Sequence, residues 1–255
     1  MSFQRFYDTW FDQLKEIVRQ LSQVPRPATS DQHRELHQQL VQKVVSHIYE
    51  YYRVKSIAAK NDILSVYSAP WSTSLERSLH WIAGWRPTTA FHLIYTESSI
   101  LFESHIIDIL RGLRYGDLGD LSPDQLARVS ELQCEAVQEE NSITDEFNDW
   151  QARNPISLFL FFSSYSKATL SFTIIKSQFQ DSASEILGLM GDIEGKMEKL
   201  VEILEKADKL RMKTIENLVE LLTPQQAIEF LIASAHLQFG IRRWGINHDR
   251  QRENP

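Results

Sequence analysis

The sequence predicts an all-α protein, and three observations carry that prediction. Apolar residues recur at steps of three and four along most of the chain, the spacing of one helix face. Helix-start signals recur as well: a Ser or Thr, then a Pro, then a Gln, as in Ser122-Pro123-Asp124-Gln125 and Thr223-Pro224-Gln225-Gln226. Only 9 glycines and 8 prolines occur in 255 residues, too few to punctuate the many short strands of an all-β fold. The expected architecture is a single helical domain over residues 1–255. It has seven or more helices, including long antiparallel ones, and an atypical apolar insertion at 154–180.

The elements follow in order. Phe3, Phe6, Trp10, Leu14, Ile17 and Leu21 mark the inner face of a first helix, which Pro25 and Pro27 end. Thr29, with Gln32 three residues on, predicts a capping box for a second helix. Its apolar face reads Leu36, Leu40, Val44, Ile48 and Tyr51, and it runs to about Lys60. Thr73 and Glu76 form another box and open a short helix through Trp81, punctuated by Gly84 and Pro87. Residues 88–112 read as one or two helices, and 115–121 as a loop. A long helix after Ser122 carries Leu126, Val129, Leu132, Ala136, Ile143, Phe147 and Trp150. A second long pattern carries Met197, Leu200, Leu204, Ala207, Arg211, Ile215, Leu218 and Leu222. The last helix holds Ile228, Leu231, Leu237 and Ile241 and ends in Arg242, Arg243, Arg250 and Arg252, which suits a helix C-terminus.

Asn154 to Gln180 departs from this pattern. It holds five of the thirteen phenylalanines and no acidic residue, although the rest of the chain is acidic. Its runs at 156–162 and 170–175 are strand-like. Two readings stand: a real insertion such as a β-hairpin, or a retained intron in the gene model.

Composition excludes several classes. The 34 acidic residues against 27 basic ones give a net charge of −7, the wrong sign for a general nucleic-acid binder. One cysteine, Cys134, allows no internal disulfide and no cysteine-based zinc site. The first stretch carries Arg5, Asp8 and Asp12, so it does not read as a signal peptide, and no membrane span is expected. No phosphate loop, nucleophile elbow or zinc-protease motif occurs. His33 and His37 are four apart but sit among Gln and charge, so they read as a solvated face. His80, His92 and His105 read as packed core histidines. Glu131, Glu135, Glu139 and Glu140 read as a solvated acidic face, and their charge makes Cys134 a poor nucleophile. No catalytic residue, metal set or cofactor loop is identified, and an enzyme is not expected.

Trp71-Ser72-Thr73-Ser74-Leu75-Glu76-Arg77, followed by Trp81-Ile82-Ala83-Gly84-Trp85-Arg86-Pro87, resembles the signature of the plant delay-of-germination (DOG) domain. Leu121 to Leu126, with Glu139-Glu140 downstream, resembles its central helix. Ala207 to Arg211, Thr214, Leu222 to Ala227 and Trp244-Gly245 resemble its C-terminal half. The resemblance covers nearly the whole chain except 154–180. The same domain follows the zipper in TGA-type bZIP transcription factors. This chain shows no basic region or zipper ahead of it, so it resembles the stand-alone seed-dormancy branch.

The resemblance implies a non-enzymatic regulator in abscisic-acid signalling that binds type 2C protein phosphatases. A Tyr and Trp three apart carry that contact in the family. Tyr7 and Trp10 match them, with Asp8 and Thr9 where a Leu-Glu pair stands, and core packing of the same helix is the competing reading of the two rings. The alternative it implies is a nuclear transcription regulator working through TGA-type bZIP partners, since direct DNA binding has no basic carrier here. The implied location is nucleus and/or cytoplasm. Haem-binding members use two histidines four apart in the last helix. Gln238 and Arg242 stand at those positions, and His236 is two residues off register, so no haem site of the family's kind is expected.

Overall fold

A computed structural model of the chain describes residues 3–28, 30–153 and 193–253. Among them are eight α-helices and one 3-10 turn, with no strand. The helices are α1 (Phe3–Gln23), α2 (Asp31–Asn61), α3 (Ile63–Ser68), α4 (Ser74–Ser78), α5 (Thr88–Leu110), α6 (Pro123–Ala152), α7 (Ile193–Leu221) and α8 (Pro224–Glu253). The all-α expectation is met. The hairpin and intron readings of 154–180 lie outside the described residues, as does Thr29. The N-cap of α2 is Ser30, one residue on from the predicted Thr29, and its side chain accepts from the His33 N–H.

Local chemistry accounts for the other helix starts. Thr73 and Glu76 form a reciprocal capping box at α4, and Ser122 and Gln125 form one at α6 with Pro123 at the first turn. Thr223 and Gln226 repeat it at α8: the Thr223 N–H donates to Gln226 Oε1 at 3.0 Å, and the Gln226 N–H to Thr223 Oγ1 at 3.3 Å. These last two starts also meet. Gln125 Nε2 donates to Gln226 Oε1 at 2.9 Å, and Gln226 Nε2 to the Asp117 carbonyl at 3.1 Å. The two similar motifs therefore form one junction.

Helix α2 is central, with α1, α7 and α8 packed around it. α1 runs antiparallel to it, with Lys43 bonded to Gln20 and Trp10 Nε1 donating to the His47 carbonyl at 2.8 Å. α6 and α7 form a second antiparallel pair. Glu139 meets Lys213, Glu146 meets Lys199 and Lys206, and Trp150 Nε1 reaches the Lys196 carbonyl. The apolar residues form two clusters. One gathers α1, α3, the 69–83 segment and the facing halves of α6 and α7. The other gathers the end of α1, the start of α2, α5 and the start of α8. Because α2 is contacted from several sides, its buried positions are His37, Val41, Val44, Tyr52, Lys55 and Ala59. Leu36, Leu126 and Leu237, placed on inner faces by periodicity, are 38%, 39% and 42% exposed because they sit at the edges of those stripes.

Candidate functional site

The DOG-like signature builds a tight turn between α4 and α5. The Trp81 N–H donates to the Gly84 carbonyl at 2.7 Å, and the Gly84 N–H returns to the Trp81 carbonyl at 3.2 Å. Ile82 and Ala83 between them have φ of 45° and 53°, a left-handed conformation that non-glycine residues resist. Buried cations hold the turn. Arg211 of α7, wholly buried, donates from Nε to the Trp85 carbonyl at 2.7 Å and from its terminal nitrogens to the Ile82 and Trp81 carbonyls. Lys55 of α2 donates to the Ala83 carbonyl at 2.8 Å. Asp208 accepts from both Lys55, at 3.0 Å, and Arg211. Four carbonyls of one turn are therefore satisfied by two cations that share one carboxylate. Burial lowers the Lys55 ammonium to about 8, with Asp208 opposing that drop.

Each signature residue has a place in this clamp. Gly84 is required by close approach, since a Cβ there would lie 2.8 Å from the Arg211 guanidinium carbon. Trp81 stacks on Arg211 at 5.2 Å and donates to Thr144 Oγ1 at 2.9 Å. Trp85 Nε1 donates to the Tyr52 hydroxyl at 2.8 Å. Arg86 pairs with Glu140 at 2.8 Å, and Glu140 also accepts the Thr88 N–H at 2.6 Å. Glu140 thus caps the start of α5, where Pro87 supplies no side-chain cap.

Tyr7, Trp10, Trp71, Glu76, Gly84, Trp85 and Arg86 line one cavity of about 380 Å³, together with Gln238. Trp81 lies outside it, against Arg211. Tyr7 and Trp10 are buried, 4% and 6% exposed. Their rings pack on each other and on Tyr51, and Trp10 also stacks on His47 at 5.0 Å. Burial, with Glu76 adding, pushes the Tyr7 hydroxyl up to about 12. Arg242 joins three elements: it donates to the Trp71 carbonyl at 3.1 Å, pairs with Glu76 at 3.3 Å and lies over the rings of Tyr7 and Phe11. His236 is exposed on α8. With an amide at Gln238 and a committed guanidinium at Arg242, these residues do not fit a haem. Among the described residues no group of three or more His, Cys, Asp or Glu could hold a metal.

Four readings of polar residues need correction. His37 is wholly buried rather than solvated: its Nε2 lies 3.0 Å from the Pro25 carbonyl, where the chain turns from α1 into α2. Glu140 is 1% exposed rather than part of a solvated face. Glu131, Glu135 and Glu139 share a helix side, but Glu140 follows Ala136 by four and precedes Ile143 by three, on the buried stripe. That spacing was the available signal. His92 is exposed, and His105 is half-buried, stacked on Tyr115 at 4.1 Å and 3.3 Å from Asp117. His80 is half-buried at the cavity wall, and burial lowers its imidazole to about 4, with Lys55 and Arg211 adding. Lys55 carries no sequence signal for this role, and Asp208 stands out only as part of the Ala207 to Arg211 block, three residues before Arg211 on the same helix.

The signature residues of this all-helical domain are therefore spent on holding one turn. Residues 13–96 match the family model DOG1, described as seed dormancy control. The chain is 23% identical to Protein DOG1-like 3 of Arabidopsis thaliana over 97% of its own length and 84% of that protein. It is 26% identical to Protein DOG1-like 4 of the same plant, over 95% of this chain and 91% of that one. It is also 26% identical to Arabidopsis Transcription factor TGA5, covering 91% of this chain and 60% of that factor. The chain is thus similar over most of its length to DOG1-like plant proteins and to part of a TGA factor, and its residues 13–96 carry the DOG1 match. No helix among the described residues is long and apolar enough to cross a membrane.

Proposed function

We propose that the protein is a non-enzymatic adaptor in abscisic-acid-linked regulation, acting by contact with type 2C protein phosphatases. The observation that supports contact as its mode of action is an apolar surface on the second half of α5 and the residues after it. Ile100, Phe102, Ile106, Ile107, Leu110 and Leu113 are 44–82% exposed there. Exposed apolar side chains concentrated in one segment suit a macromolecular contact. Tyr7 and Trp10 support the same function from inside: they fix α1 against α2 and the Trp71 segment.

Calorimetry against a clade A type 2C phosphatase tests this. Ile107→Ser/Leu110→Ser is expected to remove binding while leaving the circular dichroism unchanged. Binding that survives this variant but is lost in a folded Trp10→Ala moves the contact to α1. No binding by the unaltered protein removes the phosphatase assignment.

A second reading is a nuclear transcription regulator that associates with TGA-type bZIP factors, favoured by the 26% identity to TGA5 over 91% of this chain. It does not call for direct DNA contact: the chain carries a net charge of −7, and Arg242 of its basic cluster is held by Glu76 and Trp71. Co-purification with a zipper factor, with no phosphatase binding, selects this reading.

A further inference from the structure

We infer that the cavity enclosed by α1, α2, the 71–90 segment and α8 is a binding site for a small, uncharged, mainly apolar ligand carrying one hydrogen-bonding group. The pocket holds about 380 Å³ and opens to solvent on one side. That volume falls at the low end of small-ligand pockets. Its wall is aromatic and aliphatic, with Trp10, Tyr51, Trp71, Trp85, Phe230 and Leu231 among the lining residues. Leu79 and Leu237 line it and are also 55% and 42% exposed, so they form a rim through which a ligand can enter.

The polar inventory of the wall sets the ligand's chemistry. Glu76 is engaged by Arg242 and the Thr73 N–H, and Arg86 by Glu140. Ser234 donates to the Phe230 carbonyl, and the Tyr52 hydroxyl accepts from Trp85. His80 is neutral at pH 7. Every ion at the wall is already compensated, so a charged ligand would be desolvated without a counter-ion. Two polar groups of the wall are uncommitted: His80 Nδ1, buried without a partner, and the Tyr51 hydroxyl, the one that can both donate and accept. Tyr51 is half-buried and lines the cavity, its surroundings raise its hydroxyl well above the ordinary value, and that hydroxyl makes no hydrogen bond among the described residues. A hydroxyl that faces an apolar cavity without a partner is the natural one for a polar atom of a bound molecule.

The test uses 1-naphthol and naphthalene, which share a body and differ by one hydroxyl, titrated by calorimetry and by tryptophan fluorescence. Both are expected to bind saturably at one site per chain. Tyr51→Phe is expected to weaken 1-naphthol about tenfold and leave naphthalene unchanged. Ala235→Phe, which fills the cavity, is expected to abolish both, with Ser234→Leu as the second filling variant should the first not fold. Absence of saturable binding by the unaltered protein, or full binding by a folded filling variant, overturns the site. Unchanged 1-naphthol affinity in Tyr51→Phe overturns the assignment of the polar end.

Discussion

Replacing Arg211 by Met is expected to cost about 4 kcal/mol of folding stability. Methionine is unbranched and adaptable, so it fills most of the space and adds little cavity term. What is lost is donors. The Trp81 carbonyl keeps the Gly84 N–H at 3.2 Å. The Ile82 and Trp85 carbonyls lose the guanidinium donors at 3.0 and 2.7 Å, and no other donor is at hand in the turn. Each buried carbonyl left in that state costs about 1–3 kcal/mol. Asp208 retains Lys55 at 3.0 Å, so the full penalty of a stranded charge does not apply. The sum is a large share of the about 5–15 kcal/mol that holds a typical domain. Urea unfolding followed by tryptophan emission reads it directly, because Trp81 lies on the guanidinium. Arg211→Lys is expected to fall between, since an ammonium lacks the planar fork that reaches several carbonyls at once. An apolar replacement of Lys55, Asp208 and Arg211 together, often harmless for a buried ion cluster, is expected to destabilise here because the turn carbonyls remain. A loss below about 1 kcal/mol for Arg211→Met would refute the view that this residue holds the turn.

Two further outcomes follow from the same packing. Gly245→Ala is expected to lower stability by about 1–3 kcal/mol in a thermal melt, because the new Cβ would lie 2.7 Å from the Cβ of Thr73 and also against its hydroxyl. That hydroxyl accepts the Glu76 N–H and cannot swing aside without losing the α4 cap. Glu229 supplies a pH dependence: burial, opposed by the Leu118 N–H, raises its carboxyl from 4.5 to about 7, so the folded state holds that proton more tightly than the unfolded chain. Its contribution is fully present below pH 4.5 and is lost as pH rises towards 7, by up to about 3 kcal/mol. Denaturation midpoints between pH 5 and 8 should show this slope in the unaltered protein and a flatter one in Glu229→Gln, which keeps an acceptor for Leu118.

The helices and most of their starts were legible because they rest on neighbours in sequence. A side chain at Ser122, Thr73 or Thr223 reaches an amide three residues away, and apolar spacing marks a face without knowledge of its partner. Arg211 was also visible as a position on the inner stripe of α7. What it was doing there was not, because its four partners come from residues 81–85 and from Asp208. The same limit explains the misread polar residues. His37 and Glu140 look solvated by composition and Lys55 carries no signal, yet each is buried by a contact that joins separate elements: Pro25 for His37, Ala83 and Asp208 for Lys55, Arg86 and Thr88 for Glu140. The sequence by itself determined the fold class, the helix starts and the family signature, all carried by short-range spacing or by residue order. Only the tertiary structure decided that the signature is a turn held by buried cations, that Tyr7 and Trp10 face inward, and that seven of the eight singled-out residues surround one cavity. Burying a charge or an aromatic ring is settled by which distant groups compensate it, and those groups meet only when the helices pack.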